Sequence, residues 1–214
     1  MDEADVDVDS ALDAAADLLL GDGIATVTFA TIAGRIGRDP IEVAVAFDSL
    51  ESLLVRMLAR EYQGMFRVIA DSIDRDPLGG LLSRIYRYLL VAVHERPLAR
   101  FLYLSDSDAL SRIIRSAQGI APIPTLAVDA AFIDRMQEVG MARRDVDPEW
   151  VSAVVTAACA GAAVTAPHRG LDHLIDGLVL LLERGVDTDA TDTTAGKLAF
   201  VDYALSLAPG PDRR

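Results

Sequence analysis

Apolar positions recur every three to four residues through most of the chain. No stretch keeps the period-two alternation of a half-buried strand, so the pattern predicts an all-α protein. Residues 1–9 alternate Asp with Ala and Val and are expected to form a loose acidic tail. The first periodic run is Leu12 to Leu20, with Ser10 as its expected cap and Gly21 and Gly23 as its stop. Thr28 predicts the cap of a second helix that turns Ile32, Ala33 and Ile36 inward. Gly37 supplies a tight turn, and Asp39-Pro40 is an N-cap and first-turn pair that starts a third helix. Val43 and Phe47, at i and i+4, form its inward face.

Asp48-Ser49 caps a long fourth helix, along which Leu53, Leu54, Met57, Leu58, Tyr62, Met65, Phe66, Ile69 and Ile73 repeat at helical spacing. Asp76-Pro77 predicts the start of a fifth helix, with a stripe from Leu78 to Val93. Pro97 opens a short helix. The segment GIAPIP, Gly119 to Pro124, breaks the pattern, and a helix is expected from Thr125 to about Met141. Pro148 then precedes a helix over 149–166 rich in Ala, Val and Gly, followed by another over 171–184. Gly185 to Thr194 reads as a polar linker, and Ala195 to Leu207 as an extra amphipathic helix.

Charge narrows the function. The net charge is −13, which disfavours non-specific attachment to nucleic acid or anionic membrane. The longest mostly apolar stretch, Val151 to Ala166, falls short of the ~20 residues of a membrane span. A single cysteine, Cys159, excludes an intrachain disulfide. The N-terminus is acidic where a secretion signal needs positive charge, so a cytoplasmic location with no membrane partner is expected. His168 and His173 are five apart across a glycine, not at the spacing of a helical metal pair. No nucleophile–base set and no phosphate-cradling glycine loop stands out. A catalytic site, a metal and a cofactor are therefore not expected.

The ordered set Gly23, Ile32, Ala33, Gly37, Phe47, Ser49, Glu51, Leu53 and Leu54 resembles the N-terminal domain of the TetR/AcrR family of bacterial transcriptional regulators. The likeness covers about the first quarter of the chain. Beyond it, only helix lengths and order are similar. The resemblance implies a helix-turn-helix domain over 10–54 and a ligand-binding and dimerisation domain over 55–185; the linker and extra helix over 186–214 are read from the pattern, and many family members lack that helix. It implies a homodimer through helices 149–166 and 171–184, operator DNA, and a small apolar ligand in the C-terminal core. The lining candidates for that pocket are Phe66, Tyr86, Leu89, Phe101, Tyr103, Phe132, Met136 and Trp150. Arg84, Arg87 and Arg100 could pair with an anionic ligand.

The third helix departs from the family pattern. Pro40, Glu42, Ala44, Val45 and Ala46 stand where its members carry His, aromatic and basic residues, and none donates a side-chain hydrogen bond. Residues 1–60 hold 12 acids and 4 Arg, a balance of −8, whereas phosphate contacts by Lys and Arg supply most non-specific DNA affinity. DNA contact would fall to Thr28, Thr31, Arg35 and Arg38, to backbone amides at helix starts, and to Glu42 and Val45 facing the bases. Two readings stay open. One is a ligand-responsive transcriptional regulator. The other is a TetR-fold ligand-sensing or protein-partner module without DNA contact. A surface helix with so little polar side also predicts a cover over Val45, either the Ala195–Leu207 helix or a partner protein.

Overall fold

A computed structural model describes residues 6–102, 111, 113, 129–165 and 171–207. Among them the chain forms ten α-helices and no strand beyond one isolated bridge. They are α1 (Val8–Asp22), α2 (Phe29–Ile36), α3 (Pro40–Phe47), α4 (Leu50–Arg75), α5 (Leu82–Glu95), α6 (Pro97–Arg100), α7 (Ala130–Glu138), α8 (Pro148–Thr165), α9 (Leu171–Gly185) and α10 (Thr194–Leu207). No helix among the described residues is long and apolar enough to cross a membrane. Contacts divide the chain into two units, with the boundary inside α4 after Tyr62.

The first unit holds α1 to α3 and the first half of α4. Asp7, not Ser10, caps α1 by accepting from the Asp9 amide, so the helix begins at Val8, three residues before a Ser10 cap would start it. Gly23 closes α1 at φ +84°, in the left-handed half of the map where a side chain would be strained. Thr28 and Thr31 build a reciprocal capping box on α2, and Gly37 ends α2 in the left-handed conformation. Ile32, Ala33, Val43, Phe47 and Leu53 are fully or almost fully buried.

In the second unit α9 lies along α5, α8 packs on α7 and α9, and α10 packs on α7. The fifth helix starts at Leu82, not at Pro77 as the Asp-Pro signal suggested. The reason is the Gly79-Gly80 pair. A methyl on Gly79 would overlap the Ile73 carbonyl, and one on Gly80 would overlap the Thr193 backbone. The chain is thus held in turns between α4 and α5 while other backbone comes close. Against Gly80 that backbone is the start of α10, where a methyl on Gly196 would overlap the Gly80 carbonyl. Thr193 joins the two segments. Its hydroxyl donates to the Pro77 carbonyl (2.9 Å) and accepts from the Gly80 amide (3.2 Å). Lys197 Nζ donates to the Asp74 carbonyl at 2.8 Å.

The segment expected as a polar linker is therefore tied down. Ala142 and Asp187 form the isolated bridge, with the Arg143 amide donating to the Val186 carbonyl at 2.8 Å. The buried Asp187 accepts from the Ser83 amide at 3.2 Å and so caps the first turn of α5 from 104 residues away. Burial pushes its carboxyl above the usual range, opposed by the Ser83 hydrogen bonds.

Candidate functional site

Two surfaces and one interior carry the residues singled out by sequence. The first surface is α3. Asp39 caps it by accepting from the Ile41 amide at 2.7 Å, and Pro40 fills the first turn. Val43 and Phe47 turn inward, which leaves Ile41 and Val45 outward at i and i+4, 73% and 75% exposed. Glu42 between them is exposed as well. Within its own unit α10 buries Ala199 and Phe200.

The basic residues near this surface are few. Arg60 is ion-paired to Asp9 (3.2 Å) and to Asp13. Arg56 lies over the Phe47 ring, 5.0 Å from its centroid. Arg35 and Arg38 make no ion pair among the described residues; Arg35 is exposed and Arg38 half-buried. The Thr28 and Thr31 hydroxyls are occupied locally. Thr28 Oγ1 accepts from the Thr31 amide at 3.1 Å, and Thr31 Oγ1 donates to the Thr26 carbonyl at 2.7 Å. A phosphate at the start of α2 would compete with these bonds.

The interior is the core of the second unit. Tyr86, Leu89, Phe132 and Met136 are buried there. Phe132 stacks at 4.7 Å against Tyr203, and Phe66 and Phe132 both approach Phe200, at 6.2 and 6.5 Å. Phe200 and Tyr203 both lie on the helix expected as an extra one. Their i, i+3 spacing was the available signal for a face directed at this core. Tyr86 is 0% exposed, and its hydroxyl has no hydrogen-bond partner among the described residues. Burial raises its pKa, with further contributions from Cys159, Tyr203 and Asp129. Burial also raises Tyr203 and Cys159. All three groups stay neutral and able to donate at physiological pH.

Two pocket candidates are not placed with that core. Phe101 lines a separate cleft of about 370 Å³ with His94, Glu95, Pro97 and Arg100. Trp150 is 73% exposed near the start of α8. It borders a shallow apolar cleft of about 290 Å³ with Val154, Leu178, Leu181 and Leu182. Tyr103 and His168 lie outside the described residues. Arg87 is paired to Asp176 at 2.9 Å and Arg84 lies 3.9 Å from Asp76, so both already face carboxylates.

The second surface is the outer side of α8 and α9, where Trp150, Val154, Leu174 and Leu181 are exposed. These are the helices expected to pair two copies. Their packing buries Val151, Val155, Leu178 and Leu182 and leaves these four side chains outward.

No protein-family model matches the chain. Solved structures do. A protein from Shewanella sp. PV-4 assigned to the TetR family superposes with a TM-score of 0.56 at 20% identity, over 85% of this chain and 98% of that one. SmeT, the repressor of the Stenotrophomonas maltophilia multidrug efflux pump SmeDEF, gives 0.58 at 16% identity over 86% and 92%. The fold is TetR-like. SmeT in complex with triclosan matches as well, at 0.58 and 17% identity over 86% and 93%. A TetR-like fold thus joins a helix-turn-helix unit to a helical C-terminal unit in this chain, and the similar solved structures are of transcription regulators, not enzymes.

Proposed function

We propose that the protein is a small-molecule-responsive regulator that works as a homodimer. The observation that carries this reading is the Tyr86 hydroxyl, fully buried in an apolar core and without a partner among the described residues. A buried donor without an acceptor costs on the order of 1–3 kcal/mol, so its retention calls for an occupant that accepts its proton. A small apolar ligand bearing one oxygen acceptor meets that need, with Phe66, Leu89, Phe132 and Met136 as apolar neighbours. The triclosan complex of SmeT supports a ligand in a TetR-like protein. Two copies would pair through α8 and α9 by covering Trp150, Val154 and Leu181. Ligand binding would then shift the balance between two dimer states.

Thermal denaturation against a library of neutral small molecules tests the ligand half. A compound that raises the Tm of the wild type and not of Tyr86→Phe is expected. If no compound shows that difference, the pocket reading falls. Light scattering tests the dimer, with Trp150→Asp and Leu181→Asp expected to yield monomers. For the output, operator DNA is the partner suggested by the fold, held through Arg35, Arg38, Thr28, Thr31 and backbone amides. Retention of genomic fragments that weakens with salt supports it; no retention at about 50 mM salt, where phosphate contacts are strong, removes it.

A second reading of the output is favoured by α3. Its outward residues, Ile41, Glu42 and Val45, offer no donor to a phosphate or base edge. A module of this kind would sense ligand in the same core and answer through a protein.

A further inference from the structure

The outward face of α3 combines two features that seldom coincide on a free surface. The first is a pair of large apolar side chains, Ile41 and Val45, one helical turn apart and each about three-quarters exposed. The second is a rim of carboxylates without a basic residue on the helix. Asp39 and Asp48 flank α3 at its two ends, Glu42 lies between the apolar pair in sequence, and all three are exposed. Water solvates the carboxylates well and the apolar pair poorly. DNA offers the carboxylates only repulsion, apart from one cytosine amino group per acid. A second copy of the same face would set acid against acid.

The surroundings sharpen the choice. The two arginines nearest in sequence to α4's start are engaged, Arg56 with Phe47 and Arg60 with Asp9 and Asp13. Arg35 and Arg38, at the end of α2 and just beyond it, supply the positive charge before α3. The described residues 6–60 hold nine acids and four Arg, a balance of −5, so the unit that carries α3 is net negative. That charge favours a partner with positive charge around an apolar pocket.

We infer that the outward face of α3 docks a basic protein surface, with Ile41 and Val45 seated in an apolar pocket and Asp39, Glu42 and Asp48 paired to its Lys or Arg rim. The inference rests on the second reading of the output and names the chemistry of its partner. α3 presents the helix-in-groove arrangement, with anchors at i and i+4. Such anchors dominate affinity, while rim charges govern the association rate and its salt dependence.

The test uses the full chain in its native cells, with a photo-crosslinking amino acid at Ala44. The crosslinked polypeptide is identified by its modified peptide, produced separately, and titrated against purified wild type, Val45→Asp and Glu42→Lys. Circular dichroism confirms that both variants fold. The expected result is one polypeptide whose modified region carries net positive charge. Val45→Asp weakens its binding roughly thirty-fold or more, and Glu42→Lys weakens it several-fold at low salt and less at high salt. Crosslinks to DNA overturn the inference and leave the DNA-reading regulator standing. Crosslinks only to a second copy or to a neutral or acidic surface, no crosslink at all, or binding unchanged by Val45→Asp also overturn it. The ligand and dimer tests stand apart from every one of these outcomes.

Discussion

α3 and α10 are both apolar nearly all the way round, yet only one of them is pinned on two sides. α3 carries one buried face, Val43 and Phe47, and leaves Ile41 and Val45 open. α10 buries Ala199 and Phe200, and its first turn is also clamped against the turn between α4 and α5 by Gly196, Thr193 and Lys197. Apolar content alone did not decide which helix was anchored, and α10 still leaves Leu198, Val201 and Leu205 open. The deciding factors are close backbone approach and a buried hydroxyl that bridges two segments.

That contrast can be broken most sharply at Phe200. Phe200→Ala removes a fully buried ring and is expected to cost about 3–5 kcal/mol in denaturant unfolding. Gly196→Val comes next. The overlap with Gly80 should cost about 2–3 kcal/mol and remove hydrogen-exchange protection from α10 first. An unchanged α10 would mean that the clamp is not what holds it. Asp187→Ala loses the cap of α5 and should cost about 1 kcal/mol.

Asp187 also predicts a pH dependence. Its native carboxyl titrates above its unfolded value of about 3.9. The native state therefore holds the proton more tightly, and this group's contribution to stability falls as pH rises through that window. Urea midpoints of wild type and Asp187→Asn should differ more in favour of wild type at pH 4 than at pH 7. A constant difference would show that the carboxyl is not raised. On the α3 side the effects are small. Asp48, at φ +61° with the Ser49 amide donating to the Phe47 carbonyl at 2.6 Å, sits in a γ-turn that strains a side chain. Asp48→Gly should stabilise by about 1 kcal/mol. Val45→Asp should change stability by less than about 0.5 kcal/mol, because the side chain is three-quarters exposed.

Local rules carried the first unit. Thr28, Gly37, Asp39 and Pro40 act through bonds within four residues, so the sequence showed them with their partners. The second unit depends on distant partners. Asp187 was read as linker because the amide that it caps, Ser83, is 104 residues away. Gly79 and Gly80 were passed over because the carbonyls that exclude a side chain belong to other turns. Trp150 was assigned to a pocket on residue type alone, while its place near the start of α8 turned it outward. The apolar, acidic character of α3 was legible, but which of its side chains remained open needed the structure.

The glycine contact between positions 80 and 196 also constrains how this sequence can drift. Neither position can acquire a side chain while the other segment stays where it is, and the two lie more than a hundred residues apart. In a set of descendants they should be lost together or not at all. A sequence that keeps the two glycines with Thr193 between them can be expected to carry the terminal helix in this position. One that has lost either should have shed the helix or moved it. Three residues thus give a marker by which this branch of the fold can be traced in sequence alone.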